Sequence, residues 1–278
     1  MAHLSAETNL RIYDSPETVA HYAALDYLTA CERLLFETYI PQGSAVLDLG
    51  VGGGRTTGYL AKRASHYVGV DNAPAMIKAC RAKFPGLEFV VADAANLSQF
   101  PDASFDAVVF AFNGIDFVVP DASRRRCFEH LHRIMKTGAV VIFSSHNARA
   151  VLVRPSWNRE RLRRIAHRFS ANSQILNRAL VGIFTVGRCL FALLQASGAT
   201  LRRVLKRIPS RMFWRGEGDL RDSAHGGLLT HYATPGRVVE ELADLFRLEC
   251  TLGYDYPRRS RAYVTDWYYY VFVKPCEK

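Results

Sequence analysis

Val46-Leu47-Asp48-Leu49-Gly50-Val51-Gly52-Gly53-Gly54-Arg55-Thr56-Thr57 is the stretch on which the reading of this chain turns. An apolar run enters a glycine-rich turn and then a segment with helical spacing, which predicts a buried strand, a tight turn and a helix N-terminus. Glycines there tolerate positive φ and let a ligand lie against bare amides at the positive end of a helix. The class of ligand follows from what is missing. A dinucleotide fingerprint needs G-x-G-x-x-G. Counted from Gly50 its third position is Arg55, and counted from Gly52 it is Thr57, so both registers fail. What stands there is D-x-G-x-G-x-G, with Asp48 two residues ahead of Gly50. A carboxylate so placed repels a pyrophosphate and suits a cationic or amine-bearing ligand.

Outward from this turn the chain alternates. β-like runs at Ser44–Leu49, His66–Val70, Leu87–Val91 and Ala107–Phe112 are interleaved with helical spacing at Thr57–Ala64 and Pro74–Lys83. A fifth run, Ala139–Ser144, follows the helix Arg124–Met135. Nearly continuous Val, Ile and Leu in such runs imply a parallel sheet covered on both faces. Ahead of them, apolar spacing predicts one helix from Ala20 to Ile40, closed by Pro41-Gln42-Gly43. After Ser144 the alternation stops, and it resumes with helix Pro235–Phe246 and the runs Leu248–Tyr254 and Trp267–Val273. A short polar loop joins the last two, which predicts an antiparallel pair. The expected organisation is one α/β domain from residues 1–150 and 216–278, with a helical insertion over 151–215.

The glycine turn resembles motif I of the class I S-adenosylmethionine-dependent methyltransferases, and the resemblance continues in order along the chain. The second strand, Tyr67-Val68-Gly69-Val70-Asp71, ends in an acid placed where the family holds both ribose hydroxyls. Asn72-Ala73-Pro74-Ala75-Met76 begins a helix whose Met76 would line the adenine pocket. Val91-Ala92-Asp93-Ala94 is similar to the adenine-recognising turn, with Asp93 toward the amino group. Phe110-Ala111-Phe112-Asn113-Gly114 matches the position beside the methionine moiety. The resemblance implies a Rossmann-like, seven-stranded, mostly parallel sheet with an antiparallel C-terminal hairpin and S-adenosylmethionine as cofactor. Asp48, Gly50, Gly52, Gly54, Arg55, Thr56, Asp71, Asn72, Met76, Asp93, Ala94, Phe112, Asn113 and Gly114 are then the expected cofactor residues. Tyr13 and Tyr22 lie on N-terminal helical sequence that similar enzymes place over the cofactor, although packing on the sheet is an equal reading for both.

Methyl transfer from a sulfonium is an in-line displacement, so positioning carries much of the catalysis. A hydroxyl or amine acceptor must also lose a proton to a nearby base. His146, in Ser144-Ser145-His146-Asn147, and Asp116 follow the fifth and fourth strands, where such sheets carry chemistry. His225, His231 and Tyr232 lie where the chain re-enters the domain, and a histidine titrating near neutrality is the natural acceptor. His146, His231 and Asp116 are the candidate catalytic residues. A lone histidine is also commonly structural, so each stands as a candidate. The Asn/Asp-Pro-Pro-aromatic signature of base and amide N-methylation is absent after the fourth strand. No cluster of acids suggests an oxygen-ligand magnesium site, and no metal is expected. The chain as a whole loosely resembles bacterial methyltransferases of glycan and secondary-metabolite pathways, which carry a similar Ser-Ser-His-Asn turn and a variable insertion. That implies O-methylation of a sugar or other small hydroxyl compound, with N-methylation, an RNA methyltransferase and a cofactor-binding protein without turnover as the alternatives.

The chain has 278 residues, 49% hydrophobic and 22% charged, which excludes a disordered chain. Six scattered cysteines without a C-x-x-C pair read as buried thiols in a reducing compartment. Met1–Tyr13 lacks the apolar core of a secretory signal, and the expected location is cytoplasmic. The net charge of +10 is local: Arg149 to Arg215 holds fourteen Arg and one Lys against Glu160, so the remainder carries −4. Within it, residues 161–169 and 201–208 read as basic amphipathic helices around the apolar run Ile175–Ser197. Arg178 and Arg188 interrupt that run and disfavour a membrane span. Three readings of 160–208 stay open. They are peripheral contact with the inner membrane face to reach a lipid-linked acceptor, a cap over a small acceptor that also contributes to a homodimer interface, and an RNA surface with Trp157 and Trp214 available for stacking.

Overall fold

The structure is a computed structural model that describes residues 2–148, 150, 215–222, 227–257 and 265–276. The basic insertion, its tryptophans, Cys189 and His225 lie outside the described residues. Helices α1 (Ala2–Tyr13), α2 (Pro16–Ala23) and α3 (Ala30–Tyr39) precede β1 (Ser44–Leu49). Then follow α4 (Thr57–Arg63), β2 (Ala64–Asp71), α5 (Pro74–Lys83), β3 (Glu88–Val91), β4 (Phe105–Phe110), a 3-10 turn (Gly114–Phe117), α6 (Asp121–Ile134) and β5 (Met135–His146). A hairpin of β6 (Glu217–Asp222) and β7 (Leu228–Ala233) leads to α7 (Pro235–Leu242), β8 (Arg247–Gly253) and β9 (Trp267–Val273).

Seven strands form one sheet in the order β3-β2-β1-β4-β5-β9-β8. The first five are parallel, and β9 runs antiparallel to both β5 and β8. Successive strand residues face opposite sides. Leu47, Val68, Val108, Val141 and Tyr270 therefore pack with α6 and α7 through Cys127, Leu131, Val238 and Leu242. Val46, Tyr67, Val109, Ile142 and Val271 pack with α3, α4 and α5 through Leu35, Phe36, Leu60 and Ile77. Both faces are covered, as near-continuous apolar strands require. The strand order reverses between β1 and β4, and the crevice for a ligand lies there, beyond the strands' carboxyl ends.

Several expectations are corrected. The single helix Ala20–Ile40 is two helices, because the chain breaks over 24–29 and Thr29 caps α3 with a reciprocal Thr29–Glu32 capping box. Thr29-x-x-Glu32 is the sequence signature of that helix start, and the apolar spacing carried across it concealed the break. The fourth strand runs over Phe105–Phe110, so Phe112 stands beyond it in a turn, while β5 extends through His146. The β6–β7 hairpin was not anticipated, and it forms its own two-stranded sheet. Of the described cysteines, Cys31, Cys80 and Cys127 are buried free thiols, whereas Cys250 is half-buried and Cys276 exposed. Among the described residues no helix is long and apolar enough to cross a membrane.

Candidate active site

Asp48 ends β1 inside the core, 1% exposed, and accepts hydrogen bonds from Thr56 Oγ1 at 2.7 Å and Tyr67 OH at 2.9 Å. Burial pushes its carboxyl up to about 6 against the pull of those two donors and of the Arg55 charge. Burial and the Asp48 charge push the Tyr67 phenol well up, so it stays a donor. Asp71, at the end of β2, accepts from Gly52 N at 2.8 Å and Ala73 N at 2.9 Å. Burial raises its carboxyl despite these amides. Two carboxylates and a turn of backbone thus meet at one wall of a cavity of about 580 Å³, a size suited to a nucleoside-sized ligand.

Within the turn, Gly52 has φ +53°, and a Cβ there would meet nothing within 4 Å, so its outer side is open space. Gly53 has the opposite constraint. A Cβ on it would lie 2.3 Å from the Ala23 backbone nitrogen, because the end of α2 packs directly on the turn. That contact brings Tyr22 to the cavity, with Tyr13 of α1 beside it at 6.0 Å between ring centroids. Both N-terminal helices are tied down. Asp14 Oδ1 accepts from Ala75 N at 2.8 Å. Asn9 exchanges two bonds with the Leu229 backbone of β7, at 2.9 and 3.0 Å. Arg55 clamps the same region. It donates to both Glu32 carboxylate oxygens at 2.7 and 2.5 Å and to Tyr27 O at 2.9 Å, with its guanidinium 4.5 Å from the Phe112 ring centroid.

At the other end, Phe112 and Asn113 both hold positive φ, +56° and +62°. Consecutive left-handed residues other than glycine store strain. Here it is held by Asn113 N donating to Ser144 Oγ at 2.7 Å. The turn aims Phe112 into the cavity wall and puts Asn113 beside His146. Asp116, 1% exposed, accepts from Ser145 Oγ, His146 N and His146 Nδ1, each at 2.7 Å. Because a carboxylate only accepts, Nδ1 carries a hydrogen, and in the neutral ring the lone pair sits on Nε2. Asn113 Nδ2 stands 3.3 Å from that Nε2, and Asn113 Oδ1 has no partner among the described residues.

The cavity gathers Asp48, Gly50, Gly52, Arg55, Thr56, Asp71, Asn72, Met76, Asp93, Ala94, Phe112, Gly114 and Tyr22 in its lining. Gly54 does not share it: at φ +81° a Cβ there would meet Phe84 and Cys80, so this glycine serves helix packing. Asn113 is also off the lining, its amide directed to His146. His146 is adjacent through Phe117, a lining residue 6.3 Å away between centroids. His231 is elsewhere. It is 3% exposed, pairs through Nδ1 with Asp219 at 2.8 Å and lies 3.9 Å from Asp121. Those three residues could hold a cation, but the Arg124 guanidinium already stands 3.3 Å from Asp121. Sequence reasoning missed Asn9, Leu10, Phe117, Ser123 and Arg126 in the lining, and Trp267 against His146. Their assembly depends on how distant elements pack, for which no local pattern exists.

A glycine turn behind Asp48, a carboxylate at Asp71 and a reversal of strand order between them define the class I methyltransferase fold. Residues 46–138 match the family model described as a methyltransferase domain, and the chain carries a domain of that class, whose cofactor is S-adenosylmethionine. It is similar to the demethylmenaquinone methyltransferase of Clavibacter sepedonicus, 35% identical over 103 residues, covering 36% of this chain and 40% of the relative. It is also similar to the tRNA (carboxymethyluridine(34)-5-O)-methyltransferase of Arabidopsis thaliana, 30% identical over 138 residues, covering 48% of this chain and 31% of the relative. The chain thus spans less than half the length of these curated relatives. Among solved structures, a methyltransferase of Methanosarcina mazei shares the fold, with a TM-score of 0.56 at 21% identity, over 91% of this chain and 100% of that one.

Proposed function

We propose that the protein is an S-adenosylmethionine-dependent O-methyltransferase of a small hydroxylated acceptor, with His146 as general base and Asp116 as its positioning residue. The observation that carries this reading is the 2.7 Å contact between buried Asp116 and half-buried His146, which follow the fourth strand and end the fifth, beside the cavity. Asp116 holds one tautomer and one ring orientation, which leaves Nε2 to take the acceptor proton. The long 3.3 Å contact with Asn113 is one that an acceptor hydroxyl can replace.

The residues fit the cofactor. Asp71 would hold the ribose hydroxyls, Met76, Asp93 and Ala94 the adenine, and Asp48 would face the positive charge of the methionine end. Tyr13 and Tyr22 would cover it. When bound, S-adenosylmethionine supplies a methyl group on an electrophilic sulfonium. The protein's contribution is to exclude water with α1 and α2, to orient the acceptor oxygen and to hold the proton that it releases. The segment 151–215 would complete the acceptor side, for a free or a lipid-linked compound.

The test uses the full chain, S-adenosylmethionine labelled in the methyl group and a panel of small hydroxyl compounds. His146→Gln should lower kcat by about 10²–10⁴-fold while affinity for S-adenosylhomocysteine stays within about twofold of wild type. Asp116→Asn should lower it by about 10–100-fold, as expected for a partner that orients a base. Unchanged turnover in His146→Gln would overturn the base assignment. Labelling of tRNA alone, with affinity falling steeply in log salt, would assign an RNA substrate instead.

A further inference from the structure

The rings around His146 form a structure of their own. Phe117 and Trp267 each meet the imidazole edge-on at 6.3 Å between centroids, and Tyr232 lies tilted against it at 5.0 Å and 43°. Trp267 lies against Tyr254 at 3.8 Å and 35° on one side and meets Phe112 at 6.2 Å and 68°. These side chains come from five places in the chain: the turn after β4, the 3-10 turn, β7, the turn just after β8 and the start of β9. His146 lies directly opposite Trp267 in the β5–β9 register. Yet the cluster is not sealed. The His146 side chain is 21% exposed and Tyr254 37% exposed. Phe112 and Phe117 also line the cofactor cavity, so the aromatic wall continues from it.

From this we infer that the aromatic wall around His146 is the acceptor chamber and that it takes a planar hydroxylated aromatic ring, a phenol, in place of a sugar. The inference rests on the general-base reading above and adds the class of acceptor. Two arguments converge on it. A wall of ring faces and edges at mixed angles favours another ring in offset or edge-on contact. The second argument is proton chemistry. A phenol is more acidic than an alkyl alcohol by several powers of ten, so its proton passes more readily to a histidine base. A hydroxyl as weakly acidic as water makes the same transfer far more uphill. A histidine base therefore suits a phenol far better than an alkyl alcohol. In the balanced step the phenol O–H proton goes to His146 Nε2, the new O–CH₃ bond forms, and the S–CH₃ bond breaks with its electron pair left on sulfur.

The test uses the full chain with 2-naphthol, cyclohexanol and methyl glucoside as probes. Calorimetry in saturating S-adenosylhomocysteine reads binding, and labelled S-adenosylmethionine reads transfer. The expected result is that 2-naphthol binds and is methylated at least 100-fold faster than cyclohexanol or methyl glucoside. Trp267→Leu and, on a separate element, Tyr232→Leu should each raise KM for 2-naphthol about tenfold with kcat within about threefold. His146→Gln should lower kcat and leave KM within about threefold. If 2-naphthol binds with wild-type but not Trp267→Leu affinity and is not methylated, the chamber stands and the base reading fails. If methyl glucoside is methylated while 2-naphthol neither binds nor reacts, the chamber assignment is overturned and the base reading survives. Transfer to RNA alone overturns both.

Discussion

At Asp48, burial and hydrogen bonding pull in opposite directions, and burial wins. With its carboxyl raised from the usual 3.8 to about 6, the folded chain holds a proton that the unfolded chain has already released. The unfolded state then binds fewer protons, so this group's contribution to stability is present below pH 4 and is lost as pH rises through about 6. The span corresponds to about 3 kcal/mol. Asp48→Asn should therefore gain stability relative to wild type, by up to that amount, between pH 4 and pH 7, measured by urea unfolding of the cofactor-free protein. Cofactor affinity should run the other way, because the ionised carboxylate attracts the positive methionine end. Wild type should bind S-adenosylmethionine more weakly as pH falls from 8 to 5, and Asp48→Asn should bind weakly throughout. The Arg55–Glu32 pair sets a second expectation. Both side chains are buried, at 7% and 0% exposure, so removing one partner strands a charge. Glu32→Gln should cost about 3–5 kcal/mol in denaturant unfolding and should loosen Phe112, which the same guanidinium covers.

Among the elements, α1 and α2 form a cover over the cavity. Asn9 alone supplies two backbone hydrogen bonds between α1 and β7. Asn9→Ala leaves the Leu229 N–H and C=O unmatched at about 1–3 kcal/mol. Amide exchange in α1 should then speed up by roughly tenfold or more while the central strands keep wild-type protection. Cofactor affinity should fall with it, since α1 lines the cavity through Asn9, Leu10 and Tyr13. Gly53→Ala acts on the same cover from below. Its methyl would strike backbone, not a flexible side-chain end, so α2 must move away, and a cost of about 1–3 kcal/mol is expected. If exchange in α1 were unchanged by both substitutions, the cover would have to be held by contacts other than these.

For the whole molecule, the cavity couples the N-terminal cover, the glycine turn and the ends of β2 and β4, so a ligand that binds there stabilises the fold as a unit. At a concentration 100 times its Kd, S-adenosylhomocysteine should add about 2.7 kcal/mol. For a chain of this size that is a rise in Tm of roughly 5–10 °C. NAD, whose pyrophosphate would meet Asp48 and lacks its G-x-G-x-x-G cradle, should leave Tm unchanged. A rise with NAD and none with S-adenosylhomocysteine would contradict the assignment of the cavity.

The sequence by itself determined the sheet, the glycine turn and the carboxylates at Asp48 and Asp71. Each is a local demand of the backbone: a period of two, a positive φ at Gly52, an acid at a strand end. Where two local signals competed, as at Thr29-x-x-Glu32 within apolar helical spacing, the cap prevailed because it satisfies amides that the helix would otherwise leave bare. Gly54 and Asn113 show the limit of motif reading, since the same turns place neighbouring residues on opposite sides of the wall. Only the tertiary structure decided that His146 and not His231 stands beside the cavity, paired with Asp116 and surrounded by rings from distant parts of the chain. Such sites arise from packing between elements far apart in sequence, and the free energy that assembles them is not written in any one segment.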